Sequence, residues 1–282
     1  MKNKNNLAVL AMILICSGCV AAAAPVVETY QTYSLGKSGA KAAKSLQPIG
    51  LEEEKAIGGS LAIQVVNKFG GVYPNRELRN YIATLGRAVA DVSDRPDIEY
   101  YFAVLNSEHP NAFAAPGGYV FVSIGLLRMI ENESQLAGVL AHEISHITHR
   151  HALQTIEKSQ RLASFGSLTI GALGADPGMF DKVLEQAAEA LFTKGLEKGM
   201  EFEADKVGTE YTYRLGYRPD GLKKFLSILK DKLPKEGSAL TSTHPSPQER
   251  VSILSGSMGE YNDSMGNPVL QAEFKNATNG KL

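Results

Sequence analysis

Residues 141–151 read AHEISHITHRH, so four of the chain's six histidines fall within eleven consecutive positions. This stretch continues an apolar run without interruption, and that continuity limits the fold more than any other feature. Asn132 stands where an N-cap belongs, and Gln135, three residues on, completes a capping-box arrangement. Leu136, Val139 and Leu140 then form an apolar stripe, with His142 and His146 one and two turns later. Residues four apart on a helix share a face, so His142 and His146 present imidazole nitrogens to one point from successive turns. Glu143 projects beside that point.

Two imidazoles and a neighbouring carboxylate fit a catalytic divalent metal, with Glu143 placed to take a proton from an attacking water and deliver it to a leaving amine. Two histidines do not fill a zinc site, so a third ligand is required. The pattern His-Glu-x-x-His-x-x-Gly-x-x-His fails, because His149 takes the Gly position and Ala152 the last His. The acidic candidate is EFEAD, Glu201 to Asp205, on an expected helix. There Glu201 serves as a ligand, Asp205 accepts the outward N–H of a ligating histidine, and small Ala204 permits close packing. Taken alone, EFEAD reads as a solvated helix face. His149 either approaches the metal or, the favoured reading, is an exposed helix-end residue; His151 and His109 read as surface histidines. Two histidines and a glutamate favour zinc among divalent ions, one per chain.

The rest of the chain frames this segment. MKNKNNLAVLAMILICSGCV has the basic start, apolar run and small residues of a secretion signal, too short to span a membrane. Ser17-Gly18-Cys19 resembles a bacterial lipobox, with Cys19 the acylated residue; cleavage within Ala21 to Ala24 is the competing option. Both cysteines lie in this leader, so the exported part has no disulfide. The expected organisation is a signal peptide over 1–18, a tether over 19–47, a catalytic domain over 48–255 and a polar, Gly-rich tail over 256–282. Helices are expected over 51–69, 75–92, 181–192, 196–215 and 220–233, and strands over 98–107 and 119–123. The apolar but Gly- and Pro-broken stretch 162–180 fits a mobile flap or a core hairpin, with a slight preference for the hairpin. A formal net charge of -1 gives no sign of nucleic-acid binding.

Four stretches in order, NAFAAPGGYVFVSIGLL, LAGVLAHEISHITHRH, EFEAD and THPSPQER, resemble the gluzincin metallopeptidases of the HtpX and CAAX prenyl protease type, closest to the periplasmic BepA and LoiP kind. The resemblance covers the chain from about Leu51 to Leu254, as a catalytic domain without helical repeats. It implies that His142, His146 and Glu201 bind zinc, that Glu143 is the general base, and that Asp205 supports a histidine ligand. It also implies that His244 lies near the metal, either stabilising the tetrahedral intermediate or capping zinc in a resting state, and that Arg250 anchors its loop. Such relatives often carry Ser-Arg where this chain has Glu197-Lys198.

The implied fold is α+β and zincin-like, mostly helical, with a small sheet packed beside the active-site helix. Asn111 to Ser123 would be a substrate-facing edge that takes an extended peptide as an added strand, using Asn111, Ala112, Phe113, Gly117, Gly118 and Tyr119; the plain alternative is that YVFVS is an interior strand. The function expected is a zinc-dependent endopeptidase of the bacterial periplasm, anchored through its lipid to the outer membrane, acting on unfolded or misassembled envelope proteins. The rival is a latent or inactive, chaperone-like protein-binding module that contains zinc.

Overall fold

The computed structural model describes residues 49–162, 184–185, 188–232, 244–264 and 266–282. The leader, the tether with Cys19 and all of 162–180 but its first residue lie outside the described residues. In chain order the elements are α1 Leu51–Lys68, α2 Arg76–Asp91, β1 Tyr101–Leu105, β2 Ala112–Ala115, β3 Tyr119–Ser123, the one-turn α3 Ile124–Leu127, α4 Glu133–Thr148, α5 His151–Leu162, α6 Lys198–Arg214, α7 Gly221–Lys232, α8 Pro247–Ser257 and α9 Gln271–Thr278. A π-helical turn, Ala190–Lys194, precedes α6, and a 3-10 segment, Met258–Ser264, follows α8. The architecture is α+β, helices around one small sheet, as the sequence leads one to expect. No helix among the described residues is long and apolar enough to cross a membrane.

The sheet runs β1-β3-β2. β1 pairs with β3 in parallel, Tyr101 opposite Tyr119, and β2 pairs with β3 antiparallel, Ala112 opposite Val122. Strand alternation sends Val120 and Val122 into a core shared with α2, α4 and α7, and Tyr119 and Phe121 into a second core shared with α1 and α5. β3 is therefore buried on both faces and paired on both sides. The edge expected across Asn111–Ser123 is confined to β2, and YVFVS is the interior strand. Pro116-Gly117-Gly118 makes the tight return between β2 and β3. Gly117 and Gly118 have φ of +76° and +104°, and a Cβ at Gly118 would sit 2.0 Å from the Glu99 carbonyl oxygen. Their glycine character answers to backbone conformation and packing.

Every residue of α4 from Glu133 to Ile147 is buried, so the helix has no solvated face. Its start is capped as the sequence indicates: the Asn132 side chain accepts the Gln135 N–H at 3.0 Å. The return bond is shifted by one residue, since the Gln135 side chain accepts the Glu131 N–H at 2.9 Å. The helix stops at His149, and Arg150 takes a left-handed conformation with φ +57° before α5 begins.

Residues 256–282 are expected as a polar tail, but they fold onto the domain. Tyr261 donates to Glu210 at 3.1 Å, and the Ser134 N–H at the start of α4 donates to the Val269 carbonyl at 3.1 Å. Phe274 of α9 is buried against Tyr81, with ring centroids 6.4 Å apart. Of its buried apolar side chains among the described residues, Met258, Tyr261 and Phe274, it is Phe274 that enters the main core. Phe274→Ala should therefore cost about 3–4 kcal/mol of unfolding free energy, read by denaturant titration; an unchanged midpoint would return 256–282 to the status of a tail.

Candidate metal centre

α6 crosses α4 at a point set by one glycine. A Cβ at Gly208 would lie 2.8 Å from the His142 backbone nitrogen and 3.0 Å from the Ala141 carbonyl carbon. The two helices touch backbone to backbone, and Asp205 and Glu201, one and two turns earlier on α6, reach the histidines of α4. Ala204, expected to permit the approach, is fully buried in the same interface.

His142 Nε2 and His146 Nε2 stand 3.1 Å apart. Glu201 closes the triangle, with Oε2 3.6 Å from His142 Nε2 and Oε1 3.5 Å from His146 Nε2. Donors around tetrahedral zinc, with bonds of about 2.0–2.1 Å, stand about 3.3–3.4 Å from one another. The three side chains thus have the donor types and about the spacing that zinc takes. Glu201 Oε1 is moreover a buried oxygen with no hydrogen-bond partner, which a cation would satisfy. The charges agree: three carboxylates, Glu143, Glu201 and Asp205, are buried around one guanidinium, Arg250, and a divalent cation completes the balance.

The surrounding contacts orient these donors. His142 Nδ1 lies 3.0 Å from Asp205 Oδ1. Asp205 in turn accepts two bonds from Arg250 of α8, Nε to Oδ2 at 2.9 Å and Nη2 to Oδ1 at 2.6 Å. Burial opposes the Asp205 charge, but Arg250 outweighs it and lowers the carboxyl to about 2. Burial pushes the His142 pKa down as does Arg250, yet hydrogen bonds to Asp205 and Glu201 raise it to about 9. Burial holds His146 well below the usual histidine value. Glu201 is desolvated, but the facing histidines, His244 first, keep it well below the usual carboxylate range. Glu143 is the exception: burial dominates and raises its carboxyl.

His244 meets this group through Glu201, Nδ1 to Oε2 at 2.6 Å. Among the described residues, His142, Glu201 and His244 also place one donor atom each within 4.8 Å of one another. His244 contacts Oε2, the same Glu201 oxygen that faces His142, whereas His146 faces Oε1. The Glu197-Lys198 pair, which departs from the Ser-Arg of similar sequences, has its own employment: Glu197 pairs with Lys158, and Lys198 with Glu249 at 3.1 Å.

The structure thus brings together His142, Glu143, His146, Glu201, Asp205, His244 and Arg250. The expected peptide-binding residues divide. Ala112 and Phe113 lie on the edge strand β2, and Ala114 and Ala115 line the same small recess as His146. Asn111 is turned inward, its N–H donating to Ser123 Oγ and its own Oδ1 accepting the Ala112 N–H, both at 2.9 Å. Tyr119 is buried and stacked on Tyr101 at 4.9 Å. Gly117 and Gly118 serve the hairpin.

His149 is a half-buried helix-end residue whose Nδ1 lies 3.1 Å from the Ser145 carbonyl. His151 departs from the surface position expected of it: it is fully buried, its Nδ1 2.8 Å from His146 Nδ1 and its Nε2 3.1 Å from Glu203 Oε2. On an unbroken helix His151 would point about 140° away from His146. The reversal at Arg150 brings it back, and no periodicity signals that.

Residues 76–257 match the family model described as peptidase family M48. The chain is similar to the beta-barrel assembly-enhancing protease of Yersinia pestis, 32% identical over 216 residues, 72% of this chain and 43% of that protein. Its similarity to the protein of that name from Escherichia coli (strain K12) is 34% over 186 residues, 62% of this chain and 37% of the other. The mitochondrial metalloendopeptidase OMA1 of Schizosaccharomyces pombe is 28% identical over 207 residues, 72% of this chain and 60% of its own length. The chain spans less than half the length of those two bacterial relatives.

Removing Arg250 would leave Asp205 charged and buried with, among the described residues, only the His142 ring beside it. Arg250→Met should therefore lower stability by about 3–5 kcal/mol, measured by chemical unfolding. A loss under about 1 kcal/mol, the scale of an exposed pair, would show that Asp205 finds another partner.

Proposed function

The chain belongs to peptidase family M48, and from that membership we propose that it is a zinc-dependent endopeptidase of the bacterial cell envelope, hydrolysing peptide bonds in unfolded or misassembled proteins. One observation carries the reading: two imidazole nitrogens of α4 stand 3.1 Å apart, each within 3.6 Å of a carboxylate oxygen of Glu201 on α6, with a buried glutamate next in sequence to the first histidine.

In this reading His142, His146 and Glu201 are the metal ligands. Bound there, zinc supplies Lewis acidity toward the scissile carbonyl and lowers the pKa of water at the site. Glu143 takes the proton of the attacking water and passes it to the departing amine; burial raises its pKa, which makes it the better proton acceptor. Asp205, held by Arg250, keeps the His142 proton on Nδ1 and its Nε2 free to ligate. The main chain of Ala112 and Phe113 receives an extended substrate segment at the sheet edge. Phe113 contributes only backbone, because its side chain fills the second core. Main-chain pairing is indifferent to sequence, which suits unfolded substrates.

The leader supports export, and acylation of Cys19 would hold the protein at the outer membrane from the periplasmic side. The two bacterial relatives named for beta-barrel assembly support protein substrates of that compartment.

A latent form of the same enzyme is favoured by one contact, His244 Nδ1 on Glu201 Oε2 at 2.6 Å. His244 there engages an oxygen of a candidate ligand, and it shares a group of donors with His142 and Glu201. A zinc-containing, chaperone-like module would bind unfolded protein and never cut it.

Glu143→Gln should retain zinc by metal analysis and lose about 10²–10⁴-fold in hydrolysis of a denatured protein; hydrolysis at the wild-type rate would remove Glu143 from the role of base. His244→Ala should change turnover while zinc content stays the same. Equal turnover in that variant would make the His244 contact purely structural.

A further inference from the structure

We propose that His151 and Glu203 are positioning residues for His146, forming a chain that fixes which nitrogen of this ligand faces the metal site. The inference rests on the metal-ligand reading above and assigns a task to two residues that the mechanism otherwise leaves idle.

Two ring nitrogens 2.8 Å apart, His146 Nδ1 and His151 Nδ1, must share a single hydrogen, one ring donating and the other accepting. Glu203 decides the direction. Its carboxylate can only accept, so the His151 Nε2 that lies 3.1 Å from Glu203 Oε2 carries a hydrogen. Neutral His151 then has a bare Nδ1, which accepts from His146 Nδ1. His146 is left with a bare Nε2, the atom that stands 3.1 Å from His142 Nε2 and 3.5 Å from Glu201 Oε1. The reverse arrangement would put the hydrogen on His146 Nε2 and block it as a ligand.

Three features of the fold support this contact. His151 is fully buried although it opens a helix, because Arg150 reverses the chain just before it. Glu203 is on α6, two residues after Glu201, so one helix supplies both the candidate ligand and the end of the chain. His142 is held by Asp205 directly, whereas His146 reaches its carboxylate through a second imidazole. His149 Nε2, 4.0 Å from Glu203 Oε1, is the other group facing that carboxylate.

The test is zinc affinity of the full chain, measured by competition with a chromophoric chelator, together with the His146 tautomer read by nitrogen-15 NMR. His151→Leu should weaken zinc binding by about 10–100-fold, the usual effect of losing a group that orients a ligand. His151→Asn, whose side-chain oxygen can accept from His146 Nδ1, should recover most of that loss. Wild-type His146 should carry its hydrogen on Nδ1, and His151→Leu should populate both tautomers. Wild-type affinity in His151→Leu, or no recovery by His151→Asn, would overturn the proposal. Should His151→Leu fail to fold, Glu203→Ala, at a half-exposed position, makes the same comparison: several-fold weaker zinc binding supports the chain, and unchanged binding overturns it. Peptide hydrolysis is scored separately. A wild type that binds zinc with this dependence yet cuts nothing would refute the endopeptidase reading and leave the positioning chain standing.

Discussion

A helix buried on every side has nowhere to put polar side chains except against one another, and α4 is such a helix. It carries two histidines and a glutamate in its interior, where each unpaired group would cost several kcal/mol. The rest of the domain is arranged to meet that cost. α6 is brought to backbone contact at Gly208 so that Glu201 and Asp205 reach the imidazoles. α8 contributes Arg250, whose fork holds both oxygens of Asp205. The sheet and α2 supply the apolar remainder of the jacket around α4.

This arrangement explains why the polar centre is so specific in shape. Each group is fixed by a partner on a different element: His142 by α6, Asp205 by α8, and His146 by the first residue of α5. Movement of any one helix would disturb several bonds at once. Such mutual fixing is what a catalytic group needs, since a ligand that wanders loses its geometry. Glu143 is tuned in the opposite direction from its acidic neighbours. Glu201 and Asp205 are held charged by cations and imidazoles, while desolvation raises Glu143. Divergent environments for nearby carboxyls are the usual way one site supports different acid–base roles.

Much of this was legible in the chain. The spacing of His142 and His146 required a helix, the apolar run before them required burial, and EFEAD offered carboxylates one turn apart. The helices α1, α2, α4, α6 and α7 and the strand Tyr119–Ser123 follow from periodicity and capping, forces that act within a few residues, whereas α5, α8 and α9 are not among the expected elements. What escaped was set by distant packing. The interior place of β3 depends on β1 pairing with it in parallel, a contact between segments that no local pattern marks. The burial of His151 depends on a single left-handed residue, Arg150, which is not a glycine and so carried no signal. The docking of 256–282 rests on Met258, Tyr261, Phe274 and a few backbone bonds, too widely spaced to register as periodicity. In each case the residue type was visible and its neighbour was not.

The bonds from Glu133 and Ser134 to the carbonyls of Leu270 and Val269 bear on how the site comes into being. Protein chains are made in one direction, and His142, His146, Glu201 and Arg250 all leave the ribosome before residues 269 and 270. A nascent chain thus holds every candidate ligand while the first turn of α4 still has free amides. The docking that quiets those amides comes last. The first turn of α4 is therefore completed only by a segment made after all of these residues, a form of timing written into the connectivity and not into any regulatory group.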